Sequence, residues 1–228
     1  RTPLHVMARF HGYSEKALRA LAWQRRDSVT DRTRDGWLPL HYVARYHGGC
    51  TGSLSFLLSM APGTHSAVTG AGWAAAHHMC RYGTTPEALA TILTPQAAMQ
   101  PTPSGYLPLH LVCRYRGGDV ALLTRTLEAN PMAAGEGTQE GALPLHLLCK
   151  QFPASSAGIR ALLSLHPSGA VALDKLGLIP LQHVGVGQME WGTKVLLEGV
   201  WHGRLDMRCI VHNTQHTTQN AQYTTHNV

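Results

Sequence analysis

"GYLPLHLVCRYRGG", residues 105–118, recurs with small changes as "GWLPLHYVARYHGG" at 36–49 and "GALPLHLLCK" at 141–150. Aligned on the glycine, the copies begin at Gly36, Gly72, Gly105, Gly141 and Gly177, spaced by 36, 33, 36 and 36 residues. A nearly fixed period of this length means that one small structural unit is stacked along the chain, each unit burying what its neighbour cannot bury alone.

Counting from each glycine as zero, the fifth position is His41, His77, His110, His146 and then Gln182, with His5 matching them in a truncated first copy. Three residues before each glycine stand Thr33, Thr69, Thr102, Thr138 and Asp174, whose side chains can bond a nearby amide in a turn. Proline at the third position (Pro39, Pro108, Pro144, Pro180) suits the first residue of a helix, where a missing N–H costs nothing. Apolar residues then fall at the fourth, seventh and eighth positions: Leu40, Val43, Ala44; Leu109, Val112, Cys113; Leu145, Leu148, Cys149. This spacing predicts a helix of two to three turns with one buried stripe.

A glycine-bearing turn leads to a second apolar stretch, which closes on Pro62, Pro95, Pro131 or Pro167. Each unit therefore reads as turn, helix, turn, helix. The third unit lacks the proline and three residues, a difference assigned here to loop length, and "TTPEAL" offers Thr85 as cap with Pro86 at the first helical position.

The chain resembles the ankyrin-repeat family, whose signature is a glycine-containing turn, Thr-Pro-Leu-His and a small-residue helix over about 33 residues. "TPLH" is intact at residues 2–5; elsewhere the threonine is Leu38, Leu107, Leu143 or Ile179, which predicts the loss of a capping hydroxyl worth about 1 kcal/mol per copy. The resemblance implies an all-α, α-solenoid architecture of about six stacked helix-turn-helix units over residues 1–203, with units near 1–32, 33–68, 69–101, 102–137, 138–173 and 174–203. Gly185 and Gly187 mark the sixth as a weakened terminal copy, and the polar stretch 204–228 is expected to be a disordered tail.

Composition sets further bounds. With 228 residues, 44% of them hydrophobic, the chain can bury a substantial core, and no apolar run approaches the roughly 20 residues of a membrane span. Five cysteines without zinc spacing favour a reducing, intracellular and cytoplasmic setting. Fifteen histidines invite a metal or catalytic reading. Their periodic placement points instead to structure, because the resemblance implies that the fifth-position histidine bonds backbone between repeats. Cys80, Cys113 and Cys149 fall where other copies have alanine or glycine, so they read as small core residues. No nucleophile elbow, phosphate loop, dinucleotide fingerprint or recurrent carboxylate pair occurs, so neither an enzyme nor a cofactor is expected.

The candidate binding residues follow the same phase. The ninth position is Arg9, Arg45, Arg81, Arg114 and Lys150; the tenth is Phe10, Tyr46, Tyr82, Tyr115 and Gln151; the first adds Trp37, Trp73 and Tyr106 at the turn tip. The resemblance implies that these positions face a concave partner-binding groove. Trp, Tyr and Arg dominate interface hot spots, so the rings are expected to face solvent and bind a protein or peptide of acidic character with apolar anchors. Alternatively the rings pack along one another between units, leaving no groove function. A basic and aromatic face could also hold nucleic acid, consistent with the net charge of +6, and the units could be the targeting part of a longer enzyme. A monomer is expected.

Overall fold

The computed structural model describes residues 2–184. Gly185, Gly187, Cys209 and the polar stretch 204–228 lie outside the described residues. Within them the regular elements are helices, paired in chain order: α1 (Pro3–Phe10) with α2 (Glu15–Gln24), and α3 (Pro39–Tyr46) with α4 (Thr51–Met60). Next come α5 (Ala75–Tyr82) with α6 (Pro86–Ile92), the latter followed by the single turn α7 (Pro95–Ala98). Then α8 (Pro108–Tyr115) pairs with α9 (Val120–Ala129), and α10 (Pro144–Gln151) with α11 (Ser156–Leu165). Among the described residues the one β-type pairing is an isolated bridge between Val68 and Ala74.

Packing follows the order of the chain. Helix α1 lies on α3, α3 on α5, α5 on α8, and α8 on α10, while α2, α4, α6, α9 and α11 touch in the same sequence. A continuous apolar cluster fills the space between these two rows. The first row contributes Leu4, Leu40, Leu109 and Leu145, each at most 2% exposed, with Val43, Val112 and Leu148 one turn later. The second row answers with Leu18, Leu54, Leu57, Leu89, Leu122, Leu123 and Leu163. Burying each such side chain contributes about 2 kcal/mol. Ala8, Ala44, Cys80, Cys113 and Cys149 are fully buried at the eighth position, where a larger side chain would force neighbouring helices apart.

The turns before the first-row helices are built alike. Thr33 accepts the Trp37 amide through Oγ1 at 3.0 Å, Thr69 accepts Trp73 at 3.2 Å, and Thr102 accepts Tyr106 at 3.0 Å. Asp174 takes two amides, Leu176 at 2.9 Å and Leu178 at 3.0 Å. Successive turn tips are joined by backbone bonds, Gly70 N to Asp35 O at 2.7 Å and Lys175 N to Glu140 O at 3.0 Å.

Three expectations need correction. The leucines at the cap cost no hydroxyl bond, because Thr2, the intact copy, makes no cap bond to a helix amide; its Oγ1 sits 2.8 Å from His5 Nδ1 instead. The three residues missing from the third unit are a helical turn, since α6 has seven residues where α4 and α9 have ten. The closing prolines also open something: Pro62, Pro131 and Pro167 start 3-10 turns at Pro62–Ser66, Pro131–Gly135 and Pro167–Val171, and Pro95 starts α7. Proline fits there because it occupies a first helical position as well as ending the preceding helix. In the first unit Arg26–Val29 does this without proline.

The turn glycines allow a quantitative test. Gly105 (φ +77°) lies in the left-handed region, and a Cβ there would come within 2.8 Å of the Gln139 amide nitrogen in the next turn. Gly177 (φ +73°) shares the dihedral but a Cβ there would meet no atom within 4 Å among the described residues. Gly177→Ala should therefore cost about 1 kcal/mol, the dihedral penalty alone, and Gly105→Ala about twice that or more. Urea unfolding of both variants checks the order.

Candidate functional site

The fifth-position histidines hold the units together by a bond at each ring nitrogen. His41 Nδ1 accepts the Leu38 amide at 3.0 Å, and the same bond recurs from Ala74 to His77, Leu107 to His110 and Leu143 to His146 at 3.0–3.1 Å. The hydrogen is thereby fixed on Nε2. Nε2 donates to a carbonyl beyond its own helices: His5 to Trp37 O, His41 to Ala67 O, His77 to Gln100 O, His110 to Glu136 O, at 2.8–3.1 Å. Burial pushes the pKa of His41, His77 and His110 down to about 4, against a smaller opposing effect of the carbonyl each one bonds. The rings are neutral, which this two-bond arrangement requires.

On the first row, arginine and aromatic side chains alternate without interruption. Arg9 lies 5.2 Å from the Phe10 ring centroid and 5.6 Å from Tyr46. Arg45 lies 5.4 Å from Tyr46 and 4.4 Å from Tyr82; Arg81 lies 5.3 Å from Tyr82 and 5.1 Å from Tyr115; Arg114 lies 5.5 Å from Tyr115. Arg9, Arg45 and Arg81 thus bridge the ring of their own unit to the ring of the next, while Arg114 meets Tyr106 and Tyr115 of its own unit. None of the four takes part in the ion pairs found among the described residues, which are Arg19–Glu15, Arg25–Asp31, Arg125–Glu128 and His183–Asp174. Their charges lie against aromatic rings and, among the described residues, pair with no carboxylate.

Behind this row lies a second one. Trp37 and Trp73 flank His78 at 4.6 and 5.4 Å between centroids, and His78 stacks on Tyr82 at 6.2 Å. Arg45 is 5.6 Å from Trp37 and Arg81 is 5.4 Å from Trp73, so two arginines and Tyr82 form the outer layer over Trp37, His78 and Trp73. His78 is buried, and neither ring nitrogen has a hydrogen-bond partner among the described residues. Burial above all, with the neighbouring Arg45 and Arg81 guanidinium groups acting in the same direction, pushes its pKa down to about 3. The other units carry Val6, Tyr42, Leu111 and Leu147 at this position, apolar or aromatic like a neutral stacked ring, and the sixth carries His183, which bonds Asp174 instead.

All ten residues singled out from sequence can now be placed. Arg45, Tyr46, Trp73, Arg81, Tyr82, Tyr106, Arg114 and Tyr115 belong to the ladder or its backing row, as does Trp37; Arg114 also donates to the Tyr106 hydroxyl at 2.6 Å. Lys150 is exposed at the ladder's end, followed by Gln151 in place of an aromatic ring. Tyr46 and Tyr82 are 45% and 42% exposed, whereas Trp37, Trp73 and Tyr106 are half-buried against the core rather than facing solvent. The turn tip folds back over the next helix, so a ring there covers core as well as groove. In the sequence the adjacent His77 and His78 invite a metal or catalytic reading that the periodicity of His77 argues against; the stacked position of His78 between two tryptophans had no sequence signal.

A separate cluster sits at the end of the described chain, where ligand atoms of His146, Asp174 and His183 lie within 4.8 Å of one another. His183 Nε2 is 2.7 Å from Asp174 Oδ2. His146 cannot serve as a ligand here: its Nδ1 accepts the Leu143 amide, so its Nε2 carries the hydrogen, directed at the Ala172 and Leu178 carbonyls. Two ligand groups remain. The buried thiols are equally unsuited to chemistry, as burial raises Cys80 and Cys149 to about 12 and Cys113 further still. No helix among the described residues is long and apolar enough to cross a membrane. No family model matches the chain, and no curated protein matches it.

Two tests follow from this geometry. The unfolded chain binds protons below about pH 6.5, while buried neutral histidines resist them until about pH 4, so stability is full above pH 6.5 and falls as pH drops through that window. Each of His41, His77 and His110 forfeits roughly 3 kcal/mol by pH 4, a combined loss comparable to the whole stability of an ordinary domain, about 5–15 kcal/mol. Gln182 already caps Ile179 from the fifth position, Oε1 accepting at 2.9 Å. His110→Gln should therefore lose about 1–2 kcal/mol at pH 7.5, yet flatten the acid limb of urea-unfolding free energy by one proton. In the ladder, Trp73→Ala should cost about 2–3 kcal/mol of stability and Tyr82→Ala about 1 kcal/mol, as their different burial requires. Equal losses would show the two rings to be equivalent.

Proposed function

We propose that this chain is a non-catalytic binding module, an ankyrin-like solenoid of about six units whose concave face holds a protein or peptide of acidic character. The observation that carries the proposal is the row Arg9, Arg45, Arg81 and Arg114, fixed between aromatic rings and unmatched by carboxylates among the described residues. Pre-positioned guanidinium groups lose little rotamer freedom on binding, which favours affinity for an anionic partner. The half-exposed edges of Tyr46 and Tyr82 supply the apolar anchors. Nearest-neighbour packing of successive helix pairs supports the solenoid reading. The free cysteines, three of them buried, fit a reducing intracellular and cytoplasmic setting.

Nucleic acid is the second reading, supported by the same alternation of cations and rings, which could pair phosphates and stack bases. The two differ in chemistry and in salt response. Selection from a random peptide display library on the immobilised chain should enrich acidic sequences, and the Arg45→Glu/Arg81→Glu double variant should abolish that enrichment while its unfolding midpoint stays within a few degrees. Enrichment without acidic bias, or unaltered by the double variant, would overturn the peptide reading. Tighter retention of single-stranded oligonucleotide, with affinity falling steeply as salt rises, would replace it with the second.

A further inference from the structure

We propose that the ligand of the ladder is an acidic, proline-rich segment in the polyproline II conformation, carrying a carboxylate at every third residue. This rests on the groove reading above and specifies the shape and register of its occupant.

The first reason is pitch. Arg45 lies 5.4 Å from the Tyr46 ring and 4.4 Å from the Tyr82 ring, and Arg81 lies 5.3 and 5.1 Å from Tyr82 and Tyr115. Consecutive rungs therefore stand no more than about 10 Å apart, the spacing of one helix packed on the next. A polyproline II helix has three residues per turn and rises about 3.1 Å per residue, so every third side chain returns to the same face after about 9.3 Å. One glutamate or aspartate per turn meets one arginine per rung. A β-strand does not fit, since its side chains alternate and a residue three places on points to the opposite face.

The second reason is hydrogen-bond polarity. A guanidinium offers five N–H donors and no acceptor. Among the described residues no ion pair or side-chain hydrogen bond takes up the donors of Arg45 and Arg81, so they remain for a ligand. The Tyr106 hydroxyl already accepts from Arg114, leaving its own hydrogen to donate. A surface made of donors calls for a ligand made of acceptors. Polyproline II leaves every backbone carbonyl unpaired, proline removes the competing N–H groups, and the carboxylates add further acceptors. An α-helical ligand could match the spacing over two turns, but its carbonyls are already bonded internally.

The third reason is length. Five basic positions, Arg9, Arg45, Arg81, Arg114 and Lys150, span four intervals, roughly 40 Å, which takes about thirteen residues of polyproline II. After Tyr115 the ladder ends chemically, because Gln151 stands where a ring would be.

The test is fluorescence anisotropy with the full chain and dye-labelled synthetic peptides at about 0.15 M salt. A peptide of five Glu-Pro-Pro repeats should bind at least about tenfold more tightly than five Glu-Gly-Gly repeats, and than a peptide of the same composition with its glutamates in one block. Affinity should rise from three repeats to five and then level off. Arg81→Glu should weaken the five-repeat peptide at least about tenfold. Lys150→Glu, an exposed change at the ladder's end, should weaken five repeats and leave three within about twofold, so the result does not depend on Arg81→Glu folding. Equal affinity for the three sequences overturns the conformation and register proposed here. If that binding still requires Arg81, the acidic groove stands without them. If no acidic peptide depends on Arg81 or Lys150, the groove reading falls as well, and displacement of the peptide by an oligothymidylate of equal length would do the same.

Discussion

The structure depends on a histidine that bonds in two directions. His41, His77, His110 and His146 accept the amide at the start of their own helix and donate to a carbonyl outside it. A glutamine can do the first, as Gln182 does, and a hydroxyl side chain can cap a helix from its start. The imidazole does both because its two nitrogens are set on opposite sides of a rigid ring, and one bond determines the protonation state needed for the other. This explains why the cap residue could drift from Thr2 to Leu38, Leu107 and Leu143: the histidine satisfies the orphan amide, freeing the preceding side chain to enter the core, where Leu38 is 2% exposed.

The same repetition arranges charge. An arginine in an isolated helix would sweep through solvent; here Arg45 and Arg81 are each caught between tyrosines of adjacent units. Stacking therefore does two things at once, burying the leucines of one helix face and ordering the cations on another. The phase relation is set by helix geometry, because the fourth and eighth positions face the core while the ninth and tenth fall beyond it.

Much of this was legible in the sequence. The period, the turn threonines, proline at the helix start, the Thr85 cap and the buried eighth position could all be read from residue type and spacing, since each is a local effect repeated several times. What could not be read depends on where neighbouring units meet. The half-burial of Trp37 and Trp73 is set by the helix each turn folds over, and the isolation of His78 between them follows from packing across units. The capping half of the histidine bond had a signal, the Gln at 182, but that role emerges only with the helix ends in place. The 3-10 turns at Pro62, Pro131 and Pro167 were hidden because proline reads as punctuation rather than as the first residue of something.

The two rows of helices differ in how strictly their dimensions are kept. Helices α1, α3, α5, α8 and α10 are all eight residues long, whereas the second row varies from ten residues in α4 to seven in α6. Three residues of helix amount to about 4.5 Å, yet the alternation of arginine and ring passes through the third unit unbroken. One row acts as a ruler and the other takes up slack. Insertions and deletions can accumulate in the second row while the rungs keep their spacing, so the family of lengths open to this chain is wide on one side of the molecule and closed on the other.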